Sequence, residues 1–226
     1  MQREEARAQI ERVGIIPAIR VSTPEDALFT AEAVASQGIP IAEITMTVPG
    51  ALEVIAQLAR RHPSFVVGAG TVVDVETARR CVEAGASFLT SPGIDVAVAQ
   101  FAVTHNVVVF PGALTPTEIM AAWKTAPDFV KVFPCEAVGG PAYVKALHGP
   151  FPEIPFIASG GVNQQTAADF ILAGAVALGI GRELVPPEAI HRRQQHWIAE
   201  LARRFLSMVK EARDQVAPQP KTAART

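Results

Sequence analysis

Lys131 stands in the apolar run Asp128–Pro134, DFVKVFP. A lysine there is costly, because an ammonium taken out of water needs a partner or must release its proton. Burial disfavours the ammonium form of an amine, and the free amine attacks a ketone to give a Schiff base. Glu43 lies in a second apolar run, IAEITM. A carboxylate facing the amine can accept and return protons through carbinolamine formation, dehydration and proton removal beside the imine. The same two residues also read as a buried ion pair, or Lys131 as a side chain that snorkels to solvent. Two glycine-rich turns, ASGGVN and LGIGREL, add Gly160, Gly161 and Gly181. Such turns let backbone N–H groups approach a phosphate closely. Arg20 and Arg182 add charge-assisted contacts to phosphate or carboxylate, or surface salt bridges.

These residues fall at regular places in a longer pattern. Eight short apolar runs, GIIPAIR, IAEITM, FVVGAG, SFLTSPG, VVVFPG, FVKVFP, IPFIASGG and AVALGIG, read as strands. Five intervening segments, TPEDALFTAEAVASQG, DVETARRCVEAGA, DVAVAQFAVTHN, TPTEIMAAWKTA and NQQTAADFILAGA, space their apolar residues three and four apart, as amphipathic helices do. Most open on Thr, Asp or Asn, and several close on Gly, which are capping choices. Strands apolar on both faces alternating with helices predict a parallel sheet, and eight such units predict an α/β fold of the (β/α)8 TIM-barrel type. An open doubly wound sheet is the alternative if two of the runs are loops. In a barrel the strand ends would bring Arg20, Glu43, Thr47, Thr71, Pro92, Lys131, Phe133 and the two glycine-rich turns to one mouth.

A helix is expected before the barrel, over about residues 2–12, and another after it, over residues 187–216. Residues 1–216 are expected to form one domain, and the Pro-rich polar stretch 217–226 a disordered tail. The chain has 226 residues, 49% hydrophobic and 19% charged, with net charge −2. That balance offers no bulk attraction to nucleic acid or to an anionic membrane. The first residues, MQREEARAQIERV, lack the apolar core of a signal peptide, and no apolar run approaches the ~20 residues of a membrane span. The expected location is therefore cytoplasmic. Cys81 and Cys135 are too few for a disulfide framework and read as small buried hydrophobes. The five histidines show no metal-ligand spacing.

In order along the chain, GIIPAIR, EITMTVPGA, GAGTV, SPG, PGALTPTE, KVFP, GPAYVKALHGPFP and ASGGVN resemble the 2-keto-3-deoxy-6-phosphogluconate (KDPG) aldolase family, which includes 4-hydroxy-2-oxoglutarate (KHG) aldolases. The resemblance runs from about Arg12 to Pro186. It implies a class I aldolase without metal or other cofactor, assembled as a homotrimer. Lys131 would form the Schiff base with pyruvate, with Glu43 as general acid and base. Thr71 would hold the pyruvyl carboxylate, and Pro92 and Phe133 would shape the pocket. Gly160, Gly161 and Gly181 would contribute to the phosphate site, with Arg20 reaching the substrate's anionic end. The substrate would be a 2-keto-3-deoxy sugar acid: KDPG, giving pyruvate and D-glyceraldehyde 3-phosphate, or 4-hydroxy-2-oxoglutarate, giving pyruvate and glyoxylate. Two positions depart from the family pattern. Thr47 stands where many members have a carboxylate-binding Arg, and Arg182 where members often have a phosphate-binding Ser.

Three rival classes make different demands on the residues. A phosphate-binding barrel isomerase or epimerase shares the glycine-rich turns but has no need of Lys131. A metal-dependent aldolase requires clustered carboxylate or His ligands, whereas Glu43 is the lone carboxylate embedded in the predicted strands. A barrel that has lost catalysis has no use for retaining both Lys131 and Glu43.

Overall fold

The computed structural model describes residues 1–216; the expected tail, 217–226, lies outside the described residues. All eight predicted runs are strands: β1 Ile15–Ile19, β2 Ile41–Thr45, β3 Val66–Gly70, β4 Phe88–Thr90, β5 Val108–Phe110 with β6 Gly112–Ala113, β7 Val130–Val132, β8 Phe156–Ser159 and β9 Ala177–Ile180. The strand order is β5-β4-β3-β2-β1-β9-β8-β7-β6. Every pairing between neighbours is parallel. The order starts at β5 and ends at β6, which are separated in the chain by Pro111 alone. One interrupted strand therefore closes the sheet into a barrel. Pro111 lacks an N–H for the ladder, but its carbonyl still accepts from Lys131 N at 3.0 Å, which keeps β7 in register across the break.

Period-2 alternation divides the β2–β4 side chains between two apolar cores. Ile41, Val66 and Phe88 belong to one cluster with Ile16, Val108 and Phe110. Ala42, Ile44, Val67, Ala69 and Leu89 belong to another with helix residues Val54, Ile55, Leu58 and Val98. The Phe88 and Phe110 rings stack at 5.1 Å. Residues 41, 43 and 45 share one face of β2, so Glu43 points where Ile41 points.

The helices are α1 Arg3–Val13, α2 Pro24–Ala35, α3 Ala51–Arg61, α4 Val75–Glu83, α5 Val96–Thr104, α6 Pro116–Trp123, α7 Pro141–His148, α8 Ala167–Leu172, α9 Pro187–His191 and α10 Gln195–Val216, with a 3₁₀ turn over Cys135–Val138. Thr23, Asp74, Asp95 and Thr115 each accept a hydrogen bond from the N–H three residues on, as N-caps. The expected glycine stops Gly38, Gly85 and Gly174 all have positive φ. Helices α3 and α7 are additions to the five segments predicted between strands. Both start at a glycine, Gly50 or Gly140, without a side-chain cap, so the N-cap signature is missing.

The N-terminal helix is where it was expected and crosses the amino ends of the strands. Gln9 donates to the carbonyls of Pro40 and Ser64, just before β2 and β3. Arg3 forms a forked ion pair with Asp128, just before β7. The C-terminal segment is two helices rather than the single one expected: the chain turns at Arg193, φ +52, between α9 and α10. Arg213 of α10 donates to the carbonyls of Glu11, Arg12 and Val176. This fastens α10 beside α1 at the closed end.

Candidate active site

The carboxyl ends of the strands surround a cavity of about 590 Å³. Lys131, at the centre of β7, and Glu43, at the centre of β2, meet across it, with Nζ 3.5 Å from Oε2. Both are buried, at 7% and 3% exposure. The separation exceeds the 2.7–2.9 Å typical of a tight charge-assisted hydrogen bond, so the amine is paired electrostatically without being locked. The Phe133 ring lies 5.6 Å from Nζ and presents its face to the cation.

Space for Glu43 comes from the neighbouring strand. A Cβ on Gly70 of β3 would overlap the Glu43 carboxylate, so the second glycine of GAGT makes room for the acid. Beyond Gly70 the backbone turns through Thr71, whose φ of +61 is uncommon for a residue with a side chain. The turn brings Thr71 Oγ1 within 3.4 Å of an Arg20 nitrogen, and Thr47 Oγ1 lies 3.3 Å from another. Thr47 also shares a hydrogen bond with Thr45, whose hydroxyl reaches the Ile19 carbonyl. Arg20 thus donates to two hydroxyls rather than to a carboxylate, leaving its charge available to an anion at the mouth.

On the opposite side, Gly160 and Gly161 have φ of +83 and +85. Side chains there would strike Pro134 and Glu136, so this turn approaches the 3₁₀ turn after β7 as only glycine can. Gly181 and Arg182 follow β9 on the same wall.

Of the residues named from the sequence, Lys131, Glu43, Arg20, Thr71, Pro92, Phe133, Gly160, Gly161, Gly181 and Arg182 all line this one cavity. Thr47 is outside the lining and touches it through Arg20. Glu136, Asn163 and Glu183 also line it and were missed. Their signal was faint. Glu136 follows KVFPC in a 3₁₀ turn, and Asn163 and Glu183 stand inside the two glycine-rich turns, each two residues after a glycine.

Residues 6–201 match the family described as KDPG and KHG aldolase. The chain belongs to this aldolase family. It is 35% identical over 199 residues to the 2-dehydro-3-deoxy-phosphogluconate aldolase of Pseudomonas aeruginosa, covering 88% of this chain and 90% of that one. It is 31% identical to the KHG/KDPG aldolase of Escherichia coli K12, covering 87% and 92%. A crystal structure of KDPG aldolase from Legionella pneumophila, with pyruvate captured at low pH as a covalent carbinolamine intermediate, superposes with a TM-score of 0.82. It is 31% identical and covers 88% of this chain and 96% of that one. As a member of this aldolase family the protein is a lyase.

The two thiols lie apart from this chemistry. Cys81 and Cys135 are fully buried, and burial pushes each thiol up to about 11, so neither is a thiolate at neutral pH. No helix among the described residues is long and apolar enough to cross a membrane.

Proposed function

We propose that this protein cleaves KDPG to pyruvate and D-glyceraldehyde 3-phosphate, and 4-hydroxy-2-oxoglutarate to pyruvate and glyoxylate, through an imine on Lys131. The observation that carries this reading is the buried amine 3.5 Å from a buried carboxylate at the cavity floor. Lys131 Nζ attacks the ketone carbon of the substrate, and Glu43 moves the protons that turn the carbinolamine into an imine and release water. Glu43 then takes the proton of the C4 hydroxyl. The C3–C4 bond breaks, and its electron pair flows into the protonated imine to give an enamine and the free aldehyde. Protonation at C3 and attack by water return Lys131 and release pyruvate.

The remaining residues have positions that suit substrate binding. Arg20 and Thr71 face the carboxylate end, with Thr47 holding Arg20 in place of a second cation. Pro92 and Phe133 form apolar walls around the pyruvyl carbons. Gly160, Gly161, Gly181 and Arg182 surround the distal end, where backbone N–H groups and one guanidinium favour an anion.

Residues 1–216 form one folding unit in this reading. It works in the cytoplasm as a homotrimer, as the family resemblance implies. Support for assembly comes from Val96 and Met120, which are 47% and 51% exposed and line one groove between α5 and α6. Sedimentation equilibrium tests the trimer, and a monomer at working concentration would refute it.

Cleavage of the two substrates, followed by product identification with and without a chelator, tests the activity. The expected result is pyruvate with a matching amount of each aldehyde, insensitive to chelator. Absence of pyruvate from both substrates would overturn the reading.

A further inference from the structure

Arg193 does not line the cavity but stands at the far end of α9, the short helix that follows the Arg182 turn. Arg193, between α9 and α10, has φ +52, a left-handed conformation that glycine occupies freely and other residues adopt uncommonly. The bend itself closes through the backbone: Arg193 N–H donates to Ile190 O at 3.0 Å, and Gln194 N–H to Ala189 O at 2.8 Å. Neither bond uses the arginine side chain, so glycine would serve the bend at least as well. The side chain does something else.

The Arg193 guanidinium crosses to α2. It lies 3.0 Å from Asp26 Oδ1 and 3.5 Å from the Glu25 carbonyl, and its centre is 4.8 Å from the centre of the Phe29 ring. The Asp26 side chain is only 11% exposed. It sits in the first turn of α2, where the helix dipole also favours a carboxylate. Helix α2 begins at Pro24, a few residues after Arg20, whereas α9 begins at Pro187, which lines the cavity with Val185. Strands β1 and β9 are neighbours in the barrel. Arg193 therefore ties the bend after α9, the short helix that follows the Arg182 turn, to the first turn of α2, the helix that follows Arg20. Backbone strain retained at such a place suggests a function to be tested.

We propose that Arg193 is a positioning residue. Through Asp26 it holds the Gly181–Pro187 turn in place and so sets affinity for the distal, anionic end of the substrate without touching it. The assignment of that end to this turn rests on the aldolase reading above.

Arg193→Gly is the sharpest variant, because it relaxes the backbone while deleting the guanidinium. A role confined to the bend predicts a protein at least as stable as wild type, with unchanged kinetics. The clamp predicts a KM for KDPG raised about 2- to 5-fold, with kcat unchanged. KM for the unphosphorylated 2-keto-3-deoxygluconate, which has no distal anion, should stay at the wild-type value. Asp26→Asn should reproduce the effect, and Arg193→Lys should restore most of the affinity. An unchanged KM for KDPG in both Arg193→Gly and Asp26→Asn would overturn the proposal, as would an equal rise for the phosphorylated and unphosphorylated substrates.

Two measurements stand apart from turnover. Amide hydrogen exchange over residues 181–191 should be faster in Arg193→Gly, and titration with inorganic phosphate should show weaker binding. Equal exchange and equal phosphate affinity would refute the clamp. Failure of the wild-type protein to cleave either substrate would refute the aldolase reading instead, and these two measurements would still decide the role of Arg193.

Discussion

Asp128 and Lys131, three residues apart, belong to two ion pairs at opposite ends of the barrel. At the closed end Asp128 takes Arg3 in a fork, with contacts of 3.0, 3.2 and 3.1 Å, and its Oδ2 also accepts from Val109 N at 2.9 Å. At the open end Lys131 and Glu43 make one 3.5 Å contact beside a cavity. Both acids are 3% exposed, so burial of the carboxylate does not distinguish the pairs. What differs is how completely hydrogen-bonding capacity is used. The Arg3–Asp128 pair is satisfied within the protein and ties α1 to the barrel floor. The Lys131–Glu43 pair keeps capacity for a substrate. A charged pair with unspent hydrogen bonds facing an opening is arranged for chemistry, whereas a saturated one holds the fold together.

The contrast can be broken most sharply at Lys131. Lys131→Ala should reduce cleavage to background in a steady-state assay while costing less stability than loss of Arg3, because the Glu43 carboxylate left behind faces the cavity. Glu43→Gln should slow turnover by about 10²–10⁴ while still allowing some imine formation; wild-type kcat in this variant would remove Glu43 from the mechanism.

At the other end the expected losses reverse. Arg3→Ala strands a buried carboxylate and should cost about 3–5 kcal/mol in urea unfolding, with kcat per folded molecule unchanged. A loss of activity matching that of Glu43→Gln, at unchanged stability, would show that the two ends do not divide the work in this way.

The smallest effect concerns an exposed acid. Glu118 caps α6, accepting from the N–H groups of Leu114 and Thr115 at 2.8 Å each, and these bonds hold its carboxyl below the ordinary value of 4.5. A depressed folded-state value means that stability is fully present above about pH 4.5 and is lost as pH falls through the folded value. Glu118→Ala should therefore cost about 0.5–1 kcal/mol at pH 7. Denaturant titrations at descending pH should show wild type and variant converging in acid. A difference independent of pH would assign the effect to packing.

The sequence made the open end far more legible than the devices that steady it. Lys131 and Glu43 stand out because charge inside an apolar strand has few explanations, and the strands announce themselves as short continuous apolar runs between helical segments. The capped helices α2, α4, α5 and α6 were equally plain. Helices α3 and α7 escaped because glycine occupies their N-caps. The break between α9 and α10 escaped because arginine holds a conformation that glycine usually marks. The Arg3–Asp128 pair joins residues 125 apart in the chain, and no local pattern encodes such a contact. Glu136 lines the cavity packed against Gly161, where a Cβ would strike it, and that approach is visible in three dimensions alone.

The central claim is that Lys131 carries the substrate as an imine. Borohydride reduction of the wild-type protein with pyruvate, followed by intact mass measurement and peptide mapping, tests it most directly. The account predicts one reduced pyruvyl adduct per chain, on Lys131. An adduct on a different lysine, or none on a folded protein, would contradict it.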